Sequence, residues 1–238
     1  MLLAGNALAQ PRPKYGPLAM PLSRETNVSY FKTNAAHDYW ALSPYYLPQI
    51  SGRSCSAANI AMVLNAARSK QPLTSDDKLV TTDSLIREYA PERYKKSMLG
   101  TFDRSAVSNE YMAEVIRVAA EKLGIKTDTS LIEVKNIDMK ELQASKEHFY
   151  KALKENERTS SDFMIVSFIQ GRITGDPEDG AHVATVGAYD ERTQKVLLFD
   201  PDREYYEPYW TTRDALFDAV SDKKSDAKNP GWIYFKAH

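Results

Sequence analysis

Apolar positions along the chain follow a helical spacing in the first half and a strand-like one after Asp162. Around residues 49–65, a loop punctuated by Pro48, Ser51, Gly52 and Ser54 gives way to an apolar run. In that run Ala, Ile, Met, Val and Leu fill every side of a helix except at Asn59 and Asn65. A helix apolar nearly all round belongs in the middle of a fold rather than on its surface. Residues 107–123 predict an amphipathic helix that Ser108 can cap, with Met112, Val115, Ile116 and Ala119 on one face and Gly124 as its stop. Residues 139–156 predict another, with Leu142, Phe149 and Leu153 inward. Residues 71–101 are polar and irregular, with one short helix expected around 84–89, and residues 125–134 read as extended.

Beyond Asp162, residues 163–168, 183–189, 195–199 and 231–235 read as strands rich in apolar and β-branched side chains. Residues 10–35, with Pro11, Pro13, Pro17 and Pro21, read as an extended arm over the surface. No linker, repeat or low-complexity tract divides the chain, so residues 10–238 are expected to form one domain. The predicted class is α+β, with a central buried helix carrying Cys55 against an antiparallel sheet from the C-terminal half.

Composition narrows the functional classes. The chain has 238 residues, 42% apolar and 26% charged, with a formal net charge of -1. That balance offers no field for nucleic acid or an anionic membrane, and no stretch is long enough to span a bilayer. One cysteine excludes an internal disulfide, and His37, His148, His182 and His238 lie too far apart for a zinc motif. No metal and no cofactor are therefore expected. The N-terminal residues 1–9 are apolar and end in Ala7-Leu8-Ala9, which reads as the remnant of a secretory signal and predicts a periplasmic or secreted location.

The candidate chemistry starts at Cys55. A thiol in the first turn of a helix faces unpaired N–H groups and the positive end of the dipole, which favour thiolate. A lone cysteine can equally be inert packing, so the choice turns on its companions. One strand begins at His182, another ends at Asp200, and residues 190–193 form a polar turn between them. A turn centred on Glu191 would set His182 directly opposite Asp200, with Cβ atoms about 4.5–5.5 Å apart, whereas a one-residue slip would separate them. The acid would fix the imidazole tautomer and leave the other ring nitrogen for a thiolate. A purely structural His–Asp pair is the bland alternative. Gln49, upstream of Cys55, could donate its amide beside the sulfur and, with the Cys55 N–H, form an oxyanion hole. Such a hole accounts for about 10²–10³ in rate. Gln, Cys, His and then an acid is the order found in papain-like enzymes.

These residues resemble the phytochelatin synthases, and specifically the short bacterial phytochelatin synthase-like proteins. The resemblance rests on QxxxxxCxxAxxxMVLNA from Gln49 to Ala66 and on the strand Ile165 to Phe168 followed by His182 and Ala188-Tyr189. It continues through Asp200, Arg203, Tyr206, Pro208 and Trp210 in D-x-x-R-x-x-Y-x-P-x-W. It implies a papain-like fold and Cys55–His182–Asp200 catalysis, helped by Gln49, on a γ-glutamyl peptide. The family's thiolate attacks the Cys–Gly amide of glutathione, expels glycine and leaves a γ-glutamylcysteinyl thioester for water or a second glutathione. Nothing resembling the eukaryotic cysteine-rich extension stands in this sequence, so hydrolysis is expected over metal-stimulated polymerisation.

Expected substrate-binding residues are Arg203, Gly180, Ser56 and Tyr206; Arg203 could instead pair with Asp202 or Glu204. Departures from the family pattern at Ser56, Ala181, Ala184, Thr185 and Pro230 are expected close to the substrate. The expected partner is a small peptide or thiol such as glutathione, and a homodimer is left open. Two other readings remain: a thiol acyltransferase moving a different acyl group to an amine, and a catalytically silent exported binding protein.

Overall fold

The computed structural model describes residues 13–24, 27–100, 107–135, 138–176, 180–226 and 230–238. The expected signal remnant at residues 1–9 lies outside them. The elements run in the order β1 (Met20–Pro21), α1 (Tyr30–Thr33), α2 (His37–Leu42), α3 (Cys55–Arg68), α4 (Thr82–Ser84), α5 (Glu92–Met98), α6 (Asn109–Lys122), β2 (Thr127–Glu133) and α7 (Met139–Asn156). They continue with β3 (Asp162–Ile169), α8 (Gln170–Thr174), β4 (Ala181–Asp190), β5 (Lys195–Phe199), β6 (Tyr209–Thr212), α9 (Arg213–Ser221) and β7 (Gly231–Ala237).

The strands form one sheet in the order β1-β6-β5-β4-β3-β7-β2, and every described pairing is antiparallel. Strands β3 to β7 follow one another from Asp162 onward; β1 and β2, which precede them, are the edge strands. All eight residues of β3 are buried, because helices cover both faces of the sheet. Phe163, Ile165, Val183, Phe199 and Ile233 pack with α3 and α6 on one face. Met164, Val166, Phe168, Ala184, Val186 and Leu198 pack with α7 and α9 on the other. The period-2 alternation of a strand therefore feeds two cores at once.

Local chemistry starts the helices. Ser108, Asp138 and Thr212 accept from Tyr111, Glu141 and Ala215 N–H, which caps α6, α7 and α9. Gly124 ends α6 at φ +67°, in the left-handed region that glycine takes freely. The short helix expected at 84–89 is α4 running into a π-helical turn at Leu85–Tyr89. Helices α2, α5, α8 and α9 and strand β6 were not expected, as each is short and is held by its neighbours rather than by its own pattern. The arm is extended where β1 joins β6 at the sheet edge, then turns into α1.

The buried asparagines of α3 are anchors. Asn65 donates to the Val80 carbonyl at 2.7 Å and accepts its N–H at 2.8 Å, fastening the irregular segment to the helix. Asn59 donates to Cys55 O at 2.8 Å and Val183 O at 2.9 Å, and accepts Thr185 Oγ1 at 2.7 Å. Three bonds satisfy this buried amide, and two of them tie α3 to β4.

A second polar cluster sits where the arm meets the end of α7. Glu157 accepts from Tyr30 OH at 3.0 Å and Tyr189 N–H at 2.7 Å, and nearby Asp38 is fully buried and bonded to Asn156. Burial raises the Glu157 carboxyl to about 7, against hydrogen bonds that favour its charge. A raised acid holds its proton more tightly in the folded state. Its stabilisation is therefore full at low pH and is lost as pH climbs from the unfolded value of 4.5 towards 7. Urea titrations of wild type and Glu157→Gln between pH 4 and 8 should differ in slope over that window. The total difference should be on the order of 3 kcal/mol; parallel curves would contradict the burial argument.

Candidate active site

Cys55 opens α3 and is half-buried, whereas every later residue of that helix is buried. The preceding Ser54 does not cap the helix; its hydroxyl accepts from Ile50 N–H at 2.9 Å and Ser51 N–H at 3.0 Å. The loop is thus pinned by the side chain that would ordinarily accept an N–H of the second or third helical residue.

His182 and Asp200 meet: Nε2 donates to Oδ1 at 2.7 Å, in a setting where Asp200 is wholly buried and His182 is 8% exposed. The register differs from the one expected. The turn is Glu191 to Gln194, closed by Gln194 at φ +56°, and it pairs Asp190 with Lys195 and Ala188 with Leu197. A β-bulge at Gly187 then shifts the ladder by one, to Val186 with Leu198 and Thr185 with Phe199. Extending that ladder sets Asp200 across from Ala184, two residues from His182 and on the same face. Without the extra residue Asp200 would face Thr185, and His182 would lie on the other side of the sheet. The bulge therefore makes the pair diagonal. A Cβ on Gly187 would stand 2.5 Å from a ring carbon of Phe199, so no larger residue fits there undisturbed.

Asp200 is held from every side. Oδ1 accepts His182 and the Asp202 N–H at 2.9 Å, and Oδ2 accepts Gln170 Nε2 at 2.8 Å and Tyr209 OH at 2.9 Å. Tyr46 donates to its backbone carbonyl. Four donors fill the lone-pair sites of a carboxylate. Burial opposes its charge, but His182 and these hydrogen bonds prevail and keep the carboxyl below its ordinary value. Burial likewise opposes charge on His182. The Asp200 charge and hydrogen bond, with a smaller contribution from the nearby Cys55 thiol, raise it well above the usual histidine range. The arrangement can take a proton from Cys55 and return it elsewhere. Gln170, Tyr209 and Tyr46 were missed by sequence reasoning. The one signal available was a glutamine directly following a mostly apolar strand.

A cleft of about 600 Å³ opens beside His182, with Gln49, Gly180 and Tyr206 on its wall. Gln49 N–H donates to Pro201 O at 2.8 Å, which places its side chain beside Asp202. Two residues expected at the substrate are elsewhere. Ser56 is turned into the core, its hydroxyl 2.7 Å from Tyr94 OH, because one helical step from Cys55 rotates it by about 100°. The Arg203 guanidinium lies over the Tyr46 ring at 4.5 Å, a partner different from both carboxylates considered for it. Ala184 and Thr185 are fully buried in the sheet rather than at the substrate. Among the departures, Ala181 does line the cleft and Pro230 does not. A larger cavity, about 700 Å³ over Tyr30, Glu157 and Tyr189, has neither cysteine nor histidine on its wall. Among the described residues no cluster of three or more His, Cys, Asp or Glu could hold a metal, and no helix is long and apolar enough to cross a membrane.

A cysteine at the head of a buried helix, packed on an antiparallel sheet that brings up a histidine and an acid, is the papain-like α+β arrangement of thiol enzymes. The chain belongs to the phytochelatin synthase family, whose sequence profile, described as phytochelatin synthase, matches residues 21–232. That family and fold support cysteine-dependent cleavage or transfer of peptides. Among solved structures, the peptidase domain of Streptococcus ComA, a bi-functional ABC transporter, is 17% identical with a TM-score of 0.43, over 81% of this chain and 98% of that one. The Pseudomonas avirulence protein AvrPphB is 9% identical with a TM-score of 0.35, over 82% and 98%. No curated protein matches the chain.

The bulge makes a direct prediction. Gly187→Ala should lose about 1–3 kcal/mol in denaturant unfolding, the usual cost of overpacking. Its His182 resonance should titrate closer to an ordinary histidine. A variant of lower stability with an unchanged His182 titration would show that the bulge does not set the pair.

Proposed function

We propose that the protein cleaves the amide of a γ-glutamyl peptide, glutathione or a relative, through a γ-glutamylcysteinyl thioester on Cys55. The observation that carries this reading is the His182–Asp200 contact of 2.7 Å, with the Cys55 thiol close enough to the ring to raise its proton affinity. His182 takes the thiol proton, the sulfur attacks the carbonyl carbon, and an S–C bond forms as negative charge moves to the carbonyl oxygen. The Cys55 N–H and the amide of Gln49 face that charge. Gln49 has two N–H donors to offer. The tetrahedral intermediate collapses, the C–N bond breaks, and His182 gives its proton to the departing amine, which is glycine when glutathione is the substrate. Water, deprotonated by the same ring, then attacks the thioester and regenerates the thiol. An amine acceptor in place of water gives transfer. Asp200 holds the tautomer and offsets the imidazolium charge throughout.

The test is glycine release from glutathione by purified protein. Wild type should release it, Cys55→Ala and His182→Ala should not, and Asp200→Asn should keep a small residual rate. Turnover surviving in Cys55→Ala would remove Cys55 as the nucleophile.

A further inference from the structure

Both donors to Asp200 Oδ2, Gln170 and Tyr209, are backed by the same short stretch of the N-terminal arm. We infer that Tyr15 and Gly16 are positioning residues for Asp200, holding those two donors in place from outside the cleft. This rests on the reading of Cys55, His182 and Asp200 as the reacting group and extends it to a segment far away in sequence.

The two donors come from separate elements. Gln170 opens α8, a helix of five residues, and gives Nε2 to Asp200 Oδ2 at 2.8 Å. Tyr209 opens β6 and gives its hydroxyl to the same oxygen at 2.9 Å. A helix this short has little stability of its own, so Gln170 is placed by whatever fixes the far end. That end is buried Thr174, whose hydroxyl donates to Gln170 O at 3.1 Å and whose carbonyl accepts Gly16 N–H at 2.5 Å. Carbonyls in the last turn lack a partner within the helix, and here the arm supplies one. The approach leaves no room: a Cβ on Gly16 would stand 2.7 Å from Thr174 O and 2.9 Å from its carbonyl carbon.

Tyr15 backs the other donor. Its ring meets Tyr209 edge-on at 6.4 Å between centroids and Tyr206 at 5.7 Å, and those two rings lie 6.1 Å apart. Its hydroxyl accepts Glu207 N–H at 3.2 Å, two residues before Tyr209. Tyr209 is fully buried and Tyr206 is on the cleft wall, so the three-ring cluster joins the arm to both. Beyond this brace the arm continues as the sheet edge. Pro21 pairs with Tyr209, Leu22 N–H donates to Pro208 O at 2.8 Å, and Ser23 donates twice to the Glu207 carboxylate.

The chemical consequence runs through Asp200. A carboxylate that loses a donor binds its proton more tightly and supports the imidazolium less. His182 then releases its proton at lower pH, and the Cys55 thiolate forms at higher pH.

Tyr15→Leu and Gly16→Ala reach the brace from its two ends. Neither changes Glu207 or Arg24, which stand near Tyr15, or His182, Asp202 and Tyr46, which surround Asp200. Each should lower the pH at which the His182 resonance titrates by about one unit, which is about tenfold in proton affinity. The onset of Cys55 alkylation by iodoacetamide should move to higher pH. The kcat for glycine release should fall about tenfold with KM nearly unchanged, because neither residue is on the cleft wall. Tyr15→Phe keeps the ring contacts and should recover most of the rate. Ser23→Ala loosens the arm beyond the brace and should match wild type in both the His182 titration and kcat. Tyr15 and Gly16 variants that melt earlier but keep the wild-type His182 titration would overturn the inference, and so would an equal loss in Ser23→Ala. A shifted His182 titration in a protein that releases no glycine even as wild type would instead overturn the catalytic reading and leave the brace standing.

Discussion

Asn59 has no solvent contact, and two of its three hydrogen bonds join its helix to the strand that carries His182. One nitrogen reaches both the carbonyl of Cys55, the candidate nucleophile, and that of Val183, next to the candidate base, while its oxygen takes Thr185 Oγ1. Apolar packing brings a helix to a sheet but slides easily along its axis. A satisfied buried amide does not, because any shift strands polar groups at about 1–3 kcal/mol each. The distance between Cys55 and His182 is thus set by hydrogen bonding, on a surface supplied by hydrophobic burial.

The next constraint is the bulge at Gly187. The turn at 191–194 alone would send His182 and Asp200 to opposite faces, and the one extra residue restores them to the same face. Once there, Asp200 is wholly buried and would be expected to protonate. Its four donors and the adjacent imidazole reverse that expectation, and the carboxylate in turn holds the imidazole in its charged form. Neither charge would survive alone at such burial.

Much of this could be read from the residues. The all-round apolar pattern gave α3 its central place, and the order Gln49, Cys55, His182 and Asp200 pointed to thiol chemistry on an α+β fold. What escaped has physical reasons. The register of β4 on β5 depended on a glycine bulge and on a left-handed Gln194, neither of which leaves a mark in hydrophobic periodicity. Gln170 and Tyr209 act on Asp200 from elements that only tertiary packing brings near. Ser56, placed at the substrate because it follows Cys55, is carried away by the pitch of the helix. Arg203 stacks on Tyr46 because Tyr46 arrives from a loop far away in sequence. Local pattern shows elements and candidate groups; the direction of a side chain belongs to the assembled fold.

The central claim is that Cys55 carries the acyl group. Protein incubated with glutathione, quenched in acid and measured by intact-mass and peptide mass spectrometry tests it most directly. The account predicts a γ-glutamylcysteinyl adduct on the peptide containing Cys55, lost on treatment with hydroxylamine and absent from His182→Ala. An unmodified Cys55 in a sample that still releases glycine would contradict it.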